Sequence, residues 1–489
     1  MAHRHWLIAL PALALLAAHP ASADTLRDAL ASAYNTNPAL QAARANQRAV
    51  DENVVIEQAS GLPSVGASAN YTENFYDSTN SIFTPDSQYG ASVELAVPIY
   101  SGGGVKNAVR AAKTRVEAGQ ADLRATESAI FSQVVATYMD VIQNEAIVRL
   151  SANNVDVLGV NLQATSDRFE IGSLTRTDVA QSSSRLELAR GDLRGARANL
   201  VAARERYIQL VGREPGALAP PPPLPGLPGT VDEAVAIALE NNPDLIAARE
   251  RANAADYDID AAGSARLPKI ELFTNGSYRH SEYGSAATAA VAGSALEDNL
   301  NSTAKAATAG VRATIPIFQG GRPAALERQA QARAAAALEQ EVAAERDAIA
   351  QVRAAWSSWQ AASAIIESTQ SAISAAELSL EGVRAENTVG NRTILDILDA
   401  EQELLRARVQ LVTARRNAYV AGFTLLAAMG KAEARDLNLD TGGPLYDPQL
   451  NYERVRGRIF DWTFDPDPKA QSTRTVDTAA QTGEIPPSE

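Results

Sequence analysis

The sequence predicts a mixed α and β fold in which long helices carry a small β-sheet, with the whole plan used twice along the chain. Three observations lead to this prediction. An element with one glycine, threonine and aspartate pattern recurs 218 residues apart, at 172–178 and 390–396. Residues 105–169 and 324–386 are proline-free and rich in alanine, as long helices are. Several short segments alternate apolar and polar residues, as strands do.

The first 23 residues are predicted to be a secretory signal peptide. They hold a basic residue, Arg4, then an apolar run and an Ala-x-Ala ending at Ala23. Without them the chain has 43 Lys and Arg against 58 Asp and Glu, a net charge of −15, because Arg4 is the only charge removed. Such an acidic chain is a poor partner for nucleic acid. The absence of cysteine excludes disulfides, zinc–thiolate sites and a lipidated N-terminal cysteine.

The chain reads as two tandem repeats. Asn37-Pro38 matches Asn242-Pro243 at an offset of 205, and from residue 97 onwards the offset is 218. The predicted division is repeat 1 at 24–213, a proline-rich connector at 214–230, repeat 2 at 231–430 and a tail at 431–489, whose end we expect to be disordered.

Helix lengths predict how each repeat is arranged. Residues 105–169 would form about 97 Å of helix, while 38–60 and 176–212 would form about 35 Å and 55 Å. Stacked end to end, the two shorter helices match the long one. Residues 322–387 relate in the same way to two shorter helices of the second copy, 243–265 and 392–429. Each repeat is therefore predicted to hold one long helix beside two short ones.

Four segments are predicted to be strands: 64–75, 89–100, 269–280 and 307–318. Their alternation fits either a transmembrane barrel with a polar lumen or an ordinary two-sided sheet in a soluble domain. No apolar run after residue 23 reaches the ~20 residues of a membrane-spanning helix, so any membrane insertion would be by β-structure. Because about eight strands are needed to close a barrel, four strands from each of several chains would have to combine, and three chains would give twelve.

The recurring element reads as a turn followed by a helix start. Gly172 and Gly390 would end one helix, and Thr175-x-x-Asp178 and Thr393-x-x-Asp396 fit capping boxes. Capping is a sufficient account of Asp178 and Asp396. It does not account for Asp399, three residues after Asp396 on the same helix face, whose counterpart is Gln181.

Other glycines mark sharp turns rather than chemistry. Gly102 and Gly103, and likewise Gly320 and Gly321, would turn a strand into a long helix. The motif SGGGVK lacks the spacing of a phosphate-binding loop. His280 is the only histidine after the signal, and there is no GxSxG element, so we expect no enzyme activity, no metal and no cofactor.

The chain resembles the TolC-like outer-membrane efflux factors. The residues that carry the resemblance are Asn-Pro near each repeat start, VPIYSGGG, IPIFQGG and VGNRTILDILDAEQELLRARVQL. The resemblance implies a homotrimeric 12-stranded transmembrane β-barrel continued by a 12-helix periplasmic α-barrel. The connector and the tail would contribute to an equatorial region around that tunnel.

The same resemblance implies a function and a site. The protein would be a passive exit duct in the outer membrane, reaching into the periplasm and working with a periplasmic adaptor and an inner-membrane transporter of the RND or ABC type. Asp396 and Asp399 would form an acidic selectivity ring at the periplasmic mouth. A latch of Arg392 with Asp178 and Thr177 of a neighbouring chain would hold the mouth shut. Asn387 stands where the family often has a latch tyrosine.

Two other classes of protein are weighed against this function. A periplasmic coiled-coil adaptor would have one helical hairpin and no alternating strands, and an exported hydrolase would need a nucleophile and base that the sequence lacks. The substrate remains open between drugs or small solutes and a type I secreted polypeptide.

Overall fold

The structure is a computed structural model, which describes residues 24–75, 84–283, 289–290, 292–293 and 303–485. The predicted signal peptide lies outside the described residues. The helices of the first half are α1 (Leu26–Thr36), α2 (Pro38–Ala59), α3 (Gly104–Glu170) and α4 (Arg176–Val211). Those that follow are α5 (Val231–Asn241), α6 (Pro243–Gly263), α7 (Arg322–Thr388), α8 (Ile394–Ala428) and α9 (Pro448–Val455).

The two long helices dominate the molecule. Both α3 and α7 are 67 residues long. Each follows a glycine with positive φ, Gly103 at 83° and Gly321 at 79°. In helix order α2, α3, α6 and α7 pack side by side, while α4 lies along α3 and α8 along α7. Each long helix therefore lies beside two short ones, as the helix lengths predicted.

The short helices meet end to end through matched asparagine caps. Asn37 is the N-cap of α2, and its amide donates to the carbonyl of Leu210 near the end of α4, at 3.0 Å. Asn242 is the N-cap of α6 and donates to the carbonyl of Ala428 at the end of α8, at 2.9 Å. The proline that follows each asparagine fits the first helical position, where no N–H is needed.

Three helices were not predicted: α1, α5 and α9. The first two are 11 residues long and are capped by Thr25 and Thr230. Thr25 forms a full capping box with Asp28, whose pKa is lowered by the threonine hydroxyl and backbone N–H. Each of these two helices is separated from the next by a single asparagine.

The strands are β1 (Ser64–Glu73), β2 (Ser87–Tyr100), β3 (Lys269–Glu282) and β4 (Thr303–Thr314). They form one antiparallel sheet in the order β1-β2-β3-β4. The predicted strand 307–318 is wrong at its end, because the structure assigns residues 315–318 to no strand. Their counterparts in β2, 97–100, pair with β3, whereas the outer side of β4 has no strand partner among the described residues.

The register places the apolar residues of neighbouring strands on one face. Val65 lies opposite Leu95, Ala67 opposite Val93 and Tyr71 opposite Tyr89, and directly opposed residues share a face. On the other face, Arg312 bonds Glu271 across β3 and β4 at 2.6 Å. The apolar face is solvent-exposed in the single chain, with Val65 at 71% and Val93 at 52%.

The main core lies midway along the helices, where α1, α3, α4, α5 and α8 meet residues 429–439. Its largest members include Phe131, Tyr138, Tyr207 and Phe423. No helix in the described part of the chain is both long and apolar enough to cross a bilayer.

The end of the tail differs from the expectation of disorder. Residues 473–485 follow α4, where Arg204 donates to the carbonyls of Thr482 at 2.8 Å and Glu484 at 3.0 Å. Arg204 is 8% exposed and also pairs with Glu145 of α3 at 2.9 Å. Polar composition suggested no packed core for this segment, but its backbone carbonyls are satisfied by a buried guanidinium.

Candidate functional site

The candidate site lies at the tips of two helical hairpins, α3–α4 and α7–α8. The turns are built alike, with Gly172 at φ 79° and Gly390 at φ 84°. Just past each glycine, the N–H of Ser173 bonds the carbonyl of Arg168 at 2.9 Å, and that of Asn391 bonds Glu386 at 3.0 Å. These are Schellman-type ends, in which glycine supplies the left-handed residue.

Each hairpin restarts with a full capping box. The hydroxyl of Thr175 accepts from the N–H of Asp178 at 3.3 Å, and the Asp178 carboxylate accepts from the Thr175 N–H at 2.8 Å. Thr393 and Asp396 repeat both distances. The hydrogen bonds from threonine hold the pKa of both carboxyls below its usual value, because they favour the charged form. Both aspartates therefore serve as caps, whatever else they do.

Asp399 has a different partner, which lies in the other hairpin. Its carboxylate accepts from Nη2 of Arg185 in α4 at 2.7 Å. The Asp399 side chain is 60% exposed and that of Arg185 is 36% exposed. The ion pair therefore links the two hairpins close to their tips while leaving the carboxylate open to solvent.

The predicted latch residues are occupied locally within one chain. Arg392 pairs with Glu386 at 2.8 Å and approaches Asp396 at 3.9 Å. Asp178 is held by its own cap, and Thr177 is exposed. The pairing of Arg392 with Asp178 of a neighbouring chain stays a prediction.

Asn387 bridges the two tips. Its amide nitrogen donates to the carbonyl of Arg392 at 2.8 Å, and its amide oxygen accepts from Arg168 of α3 at 3.2 Å. Arg168 and Arg185 were missed from the sequence. Arg185 stands seven residues, two helical turns, after Asp178 and so on the same face of α4, which is a signal that could have found it.

An apolar contact lies beside the ion pair. Leu398 of α8 is 2% exposed and packs with Leu158, Leu186 and Ala189 of α3 and α4. A second cluster within the α7–α8 hairpin contains Leu380, Ile394, Ile397 and Leu404. Successive residues of α8 thus have separate roles, because Leu398 joins the hairpins and Asp399 reaches Arg185.

The strand-to-helix glycines lie at the opposite end of the hairpins. Gly102 has φ 66° and Gly320 has φ 58°. A Cβ at Gly102 would approach Cβ of Leu267 to 2.7 Å, so both its conformation and its packing require glycine. Together with Gly103 and Gly321 they set where the sheet joins α3 and α7.

The tip arrangement can act by charge and by movement. The described residues contain no cluster of three or more metal-ligating side chains. The tips instead carry two carboxylates per chain, one capped and one paired with arginine across the hairpins. Such groups can attract cations and can hold or release neighbouring helices.

Comparison with known proteins gives a consistent result. The family model described as "Outer membrane efflux protein" matches residues 29–213 and 234–431. The outer membrane efflux protein BepC of Brucella suis is 33% identical over 452 residues, covering 91% of this chain and 93% of that protein. The outer membrane protein TolC of Escherichia coli is 26% identical and covers 85% and 84%; the alkaline protease secretion protein AprF of Pseudomonas aeruginosa is 25% identical and covers 89% and 90%.

Solved structures support the fold. The outer membrane protein VceC of Vibrio cholerae superposes with a TM-score of 0.69 at 23% identity, covering 83% of this chain and 96% of that chain. The CmeC outer membrane channel of Campylobacter jejuni gives a TM-score of 0.72 at 16% identity, covering 88% and 89%.

Proposed function

We propose, from the premise that this chain belongs to the outer membrane efflux protein family, that three copies form a single passive exit duct. The protein is an outer-membrane efflux protein that reaches into the periplasm. The observation that carries the trimer is the sheet. It has four strands, and both outer edges lack a strand partner among the described residues.

Open sheet edges are not tolerated in lipid, because their N–H and C=O groups would lack partners. Three copies would join edge to edge into a 12-stranded barrel, and their paired long and short helices would continue it as a 12-helix tunnel. The apolar face of each sheet would then meet lipid, and the face with Arg312 and Glu271 would line the bore.

Tandem duplication is supported by matched contacts. Asn37 and Asn242, 205 residues apart, bond the carbonyls of Leu210 and Ala428, which are 218 residues apart. The order of helices and strands is also the same in the two family-matched segments. A duplicated unit gives a trimer six similar hairpins around its axis.

We propose that Asp396 and Asp399 form the acidic ring at the periplasmic mouth. Both lie in the first turns of α8 at a hairpin tip and have exposed carboxylates. In a trimer they would supply six carboxylates near one axis. Arg392, Asp178 and Thr177 would form contacts between chains when the mouth is closed.

The duct would work without catalysis. A periplasmic adaptor would recruit it to an inner-membrane transporter of the RND or ABC type, which supplies the energy. Its cargo would be drugs and small solutes or type I secreted proteins, since its relatives are named for efflux and for protease secretion. The periplasmic adaptor alternative predicts no strands, whereas this chain has four.

The test is reconstitution of the exported protein in planar bilayers. We expect a heat-modifiable trimer in outer-membrane fractions and a cation-preferring conductance that falls in Asp396→Ala with Asp399→Ala. A stable monomer in the soluble periplasmic fraction would contradict the duct. A conducting trimer whose selectivity is unchanged in the double variant would contradict the ring alone.

A further inference from the structure

The tail carries an exposed apolar segment that the channel function does not use. Residues 459–464, here called the aromatic loop, follow α9 directly. Its large side chains are almost fully exposed: Ile459 at 64%, Phe460 at 78%, Trp462 at 87% and Phe464 at 77%. Four large apolar side chains exposed within six residues mark an interaction surface rather than scattered surface residues.

The aromatic loop is held by a charged clamp at its base. Asp465 accepts from Arg454 at 2.7 and 2.9 Å and from Arg458 at 2.9 Å. These two arginines hold the pKa of Asp465 well below its usual range. The clamp joins the two ends of the loop, so the rings between them project from a closed structure.

Helix α9 fixes the clamp to the body of the protein. Asn451 donates to Asp51 of α2 at 2.6 Å, and Asp51 is fully buried. Tyr452 packs on a cluster formed by Val54, Ala112 and Val116 of α2 and α3. The loop is therefore positioned relative to the helices on which the sheet stands.

The position of the loop is at the base of the sheet. It lies against Val55 and Ala59 near the end of α2 and against Leu62, which together line a shallow cavity with Phe460 and Phe464. Leu62 is two residues before β1, which is at most about 7 Å of extended chain. The exposed Ile99 of β2 lies at the same end of the sheet, since Ser64 pairs with Ala96.

We propose that the aromatic loop inserts into the headgroup zone of the outer membrane's periplasmic leaflet and anchors the helical part of the duct to the lipid surface. This inference rests on the proposed function, which places the sheet in the membrane. Tryptophan and phenylalanine with neighbouring arginines suit that zone, where apolar rings and charged groups both find partners.

A neighbouring copy of the chain is the other candidate occupant. The loop is flanked by Arg454, Arg458, Asp461 and Asp465, and charged residues are depleted from the cores of protein–protein interfaces. The continuity of the loop with the base of the sheet also favours lipid, because the apolar face of the sheet ends at that level.

Tryptophan fluorescence tests the proposal in the intact trimer. Apart from Trp6 in the predicted signal peptide, the tryptophans are Trp356, Trp359 and Trp462, and the first two pack against the core. The trimer is reconstituted in phosphatidylcholine vesicles with and without brominated acyl chains, which quench only by contact. We expect brominated lipid to quench a fraction of wild-type emission that is missing in Trp462→Phe, a substitution at an exposed position that spares the core.

Equal lipid quenching of wild type and Trp462→Phe would overturn the proposal. Quenching of Trp462 by aqueous acrylamide but not by lipid would place the loop in water, and a cross-link from position 462 to a second copy would place it in a subunit contact; either would also overturn it. Conductance of the same vesicle preparation separates the two claims. A conducting trimer without lipid quenching contradicts the anchor alone, while a preparation that neither inserts nor conducts contradicts the proposed function as well.

Discussion

Arg185 reduces the effective charge of the mouth. It sits 2.7 Å from Asp399, so in the resting tip the second carboxylate of the proposed ring is already partly neutralised. Arg185→Gln should therefore raise cation preference in planar bilayers, because it frees three carboxylates in a trimer. The coupling between the two side chains should be small, about 0.5 kcal/mol, since both are partly exposed.

A matched variant exists on the same helix. Arg190 pairs with Glu187 one turn away on α4 and does not reach the other hairpin. Arg190→Gln removes the same charge and should leave the selectivity near that of wild type. A selectivity that is equal in the two variants would show that Arg185 does not act on Asp399.

The Thr393 cap should set the pH at which Asp396 loses its charge. In an Asp399→Asn channel, where Asp396 is the remaining ring acid, cation preference should fall only as pH drops through a value below 3.8, the ordinary value for aspartate. Thr393→Ala removes the hydrogen bond that favours the charged form, so the midpoint should move up. The sign for stability is the same: the cap stabilises the tip above the unfolded pKa and is lost as pH falls through the lowered folded pKa.

Reversal potentials measured across a pH series give this midpoint. Thr388→Ala is the control, because that hydroxyl donates to the carbonyl of Ala385 and caps no carboxylate. A midpoint that is the same in the Thr393 and Thr388 variants would argue against the cap as the cause of the lowered pKa.

Sequence reasoning found the caps but not their neighbours. Thr393 and Asp396 are three residues apart, so a local pattern names both. Arg185 and Asp399 are 214 residues apart, and only packing of one hairpin on the other brings them together. The same limit explains Arg168 and Asn387, whose contact also spans the two hairpins.

Between the hairpins, Leu398 is the main apolar contact near the tips. Leu398→Ala would leave a cavity among Leu158, Leu186 and Ala189, which typically costs about 2–5 kcal/mol for a buried leucine. We expect the α3–α4 and α7–α8 tips to separate more often, and single-channel conductance at neutral pH to rise.

Leu395 provides the comparison for this helix. It lies three positions earlier on α8 and is 36% exposed, so Leu395→Ala should leave conductance close to wild type. Proteolysis of the tips under native conditions gives a second reading. Equal conductance and equal cleavage in the two variants would exclude Leu398 as a hinge contact.

Long elements were predictable from sequence and short ones were not. The prediction of 105–169 is close to α3 at Gly104–Glu170, because alanine-rich sequence without proline fixes a helix over many turns. The 11-residue α1 and α5 offer only three turns each, and the Asn-Pro that follows them draws attention to the next helix. The end of β4 could not be predicted, because strand pairing depends on what lies on the open edge.

At the scale of the whole molecule, the two repeats predict how the chains pair. Ser64 lies opposite Ala96 and Lys269 opposite Thr314, so the β1–β2 and β3–β4 hairpins have the same register under the offsets of 205 and 218. In the β2–β3 pair, Val93 lies opposite Gly276. Adding 218 to 93 and subtracting 205 from 276 places Val311 of one chain opposite Tyr71 of the next.

This register also accounts for residues 315–318. Val97 pairs with Leu272 and Tyr100 with Ile270, so their counterparts Ile315 and Phe318 would pair with residues 67 and 65 of the next chain. A single chain cannot supply that partner, and the strand ends at Thr314.

Introduced cysteines test the register directly, because the natural chain has none. The variant with Val311→Cys and Tyr71→Cys should form disulfides around the ring and migrate as a covalent trimer without reductant. Val311→Cys with Ala69→Cys offsets the pair by two residues, about 7–8 Å apart, and should cross-link far less. Preference for the offset pair would show a shifted register. Failure of both pairs to cross-link in the reconstituted protein would mean that β1 and β4 do not meet, because the edges of a sheet that closes through neighbouring copies must lie within disulfide reach somewhere along these strands.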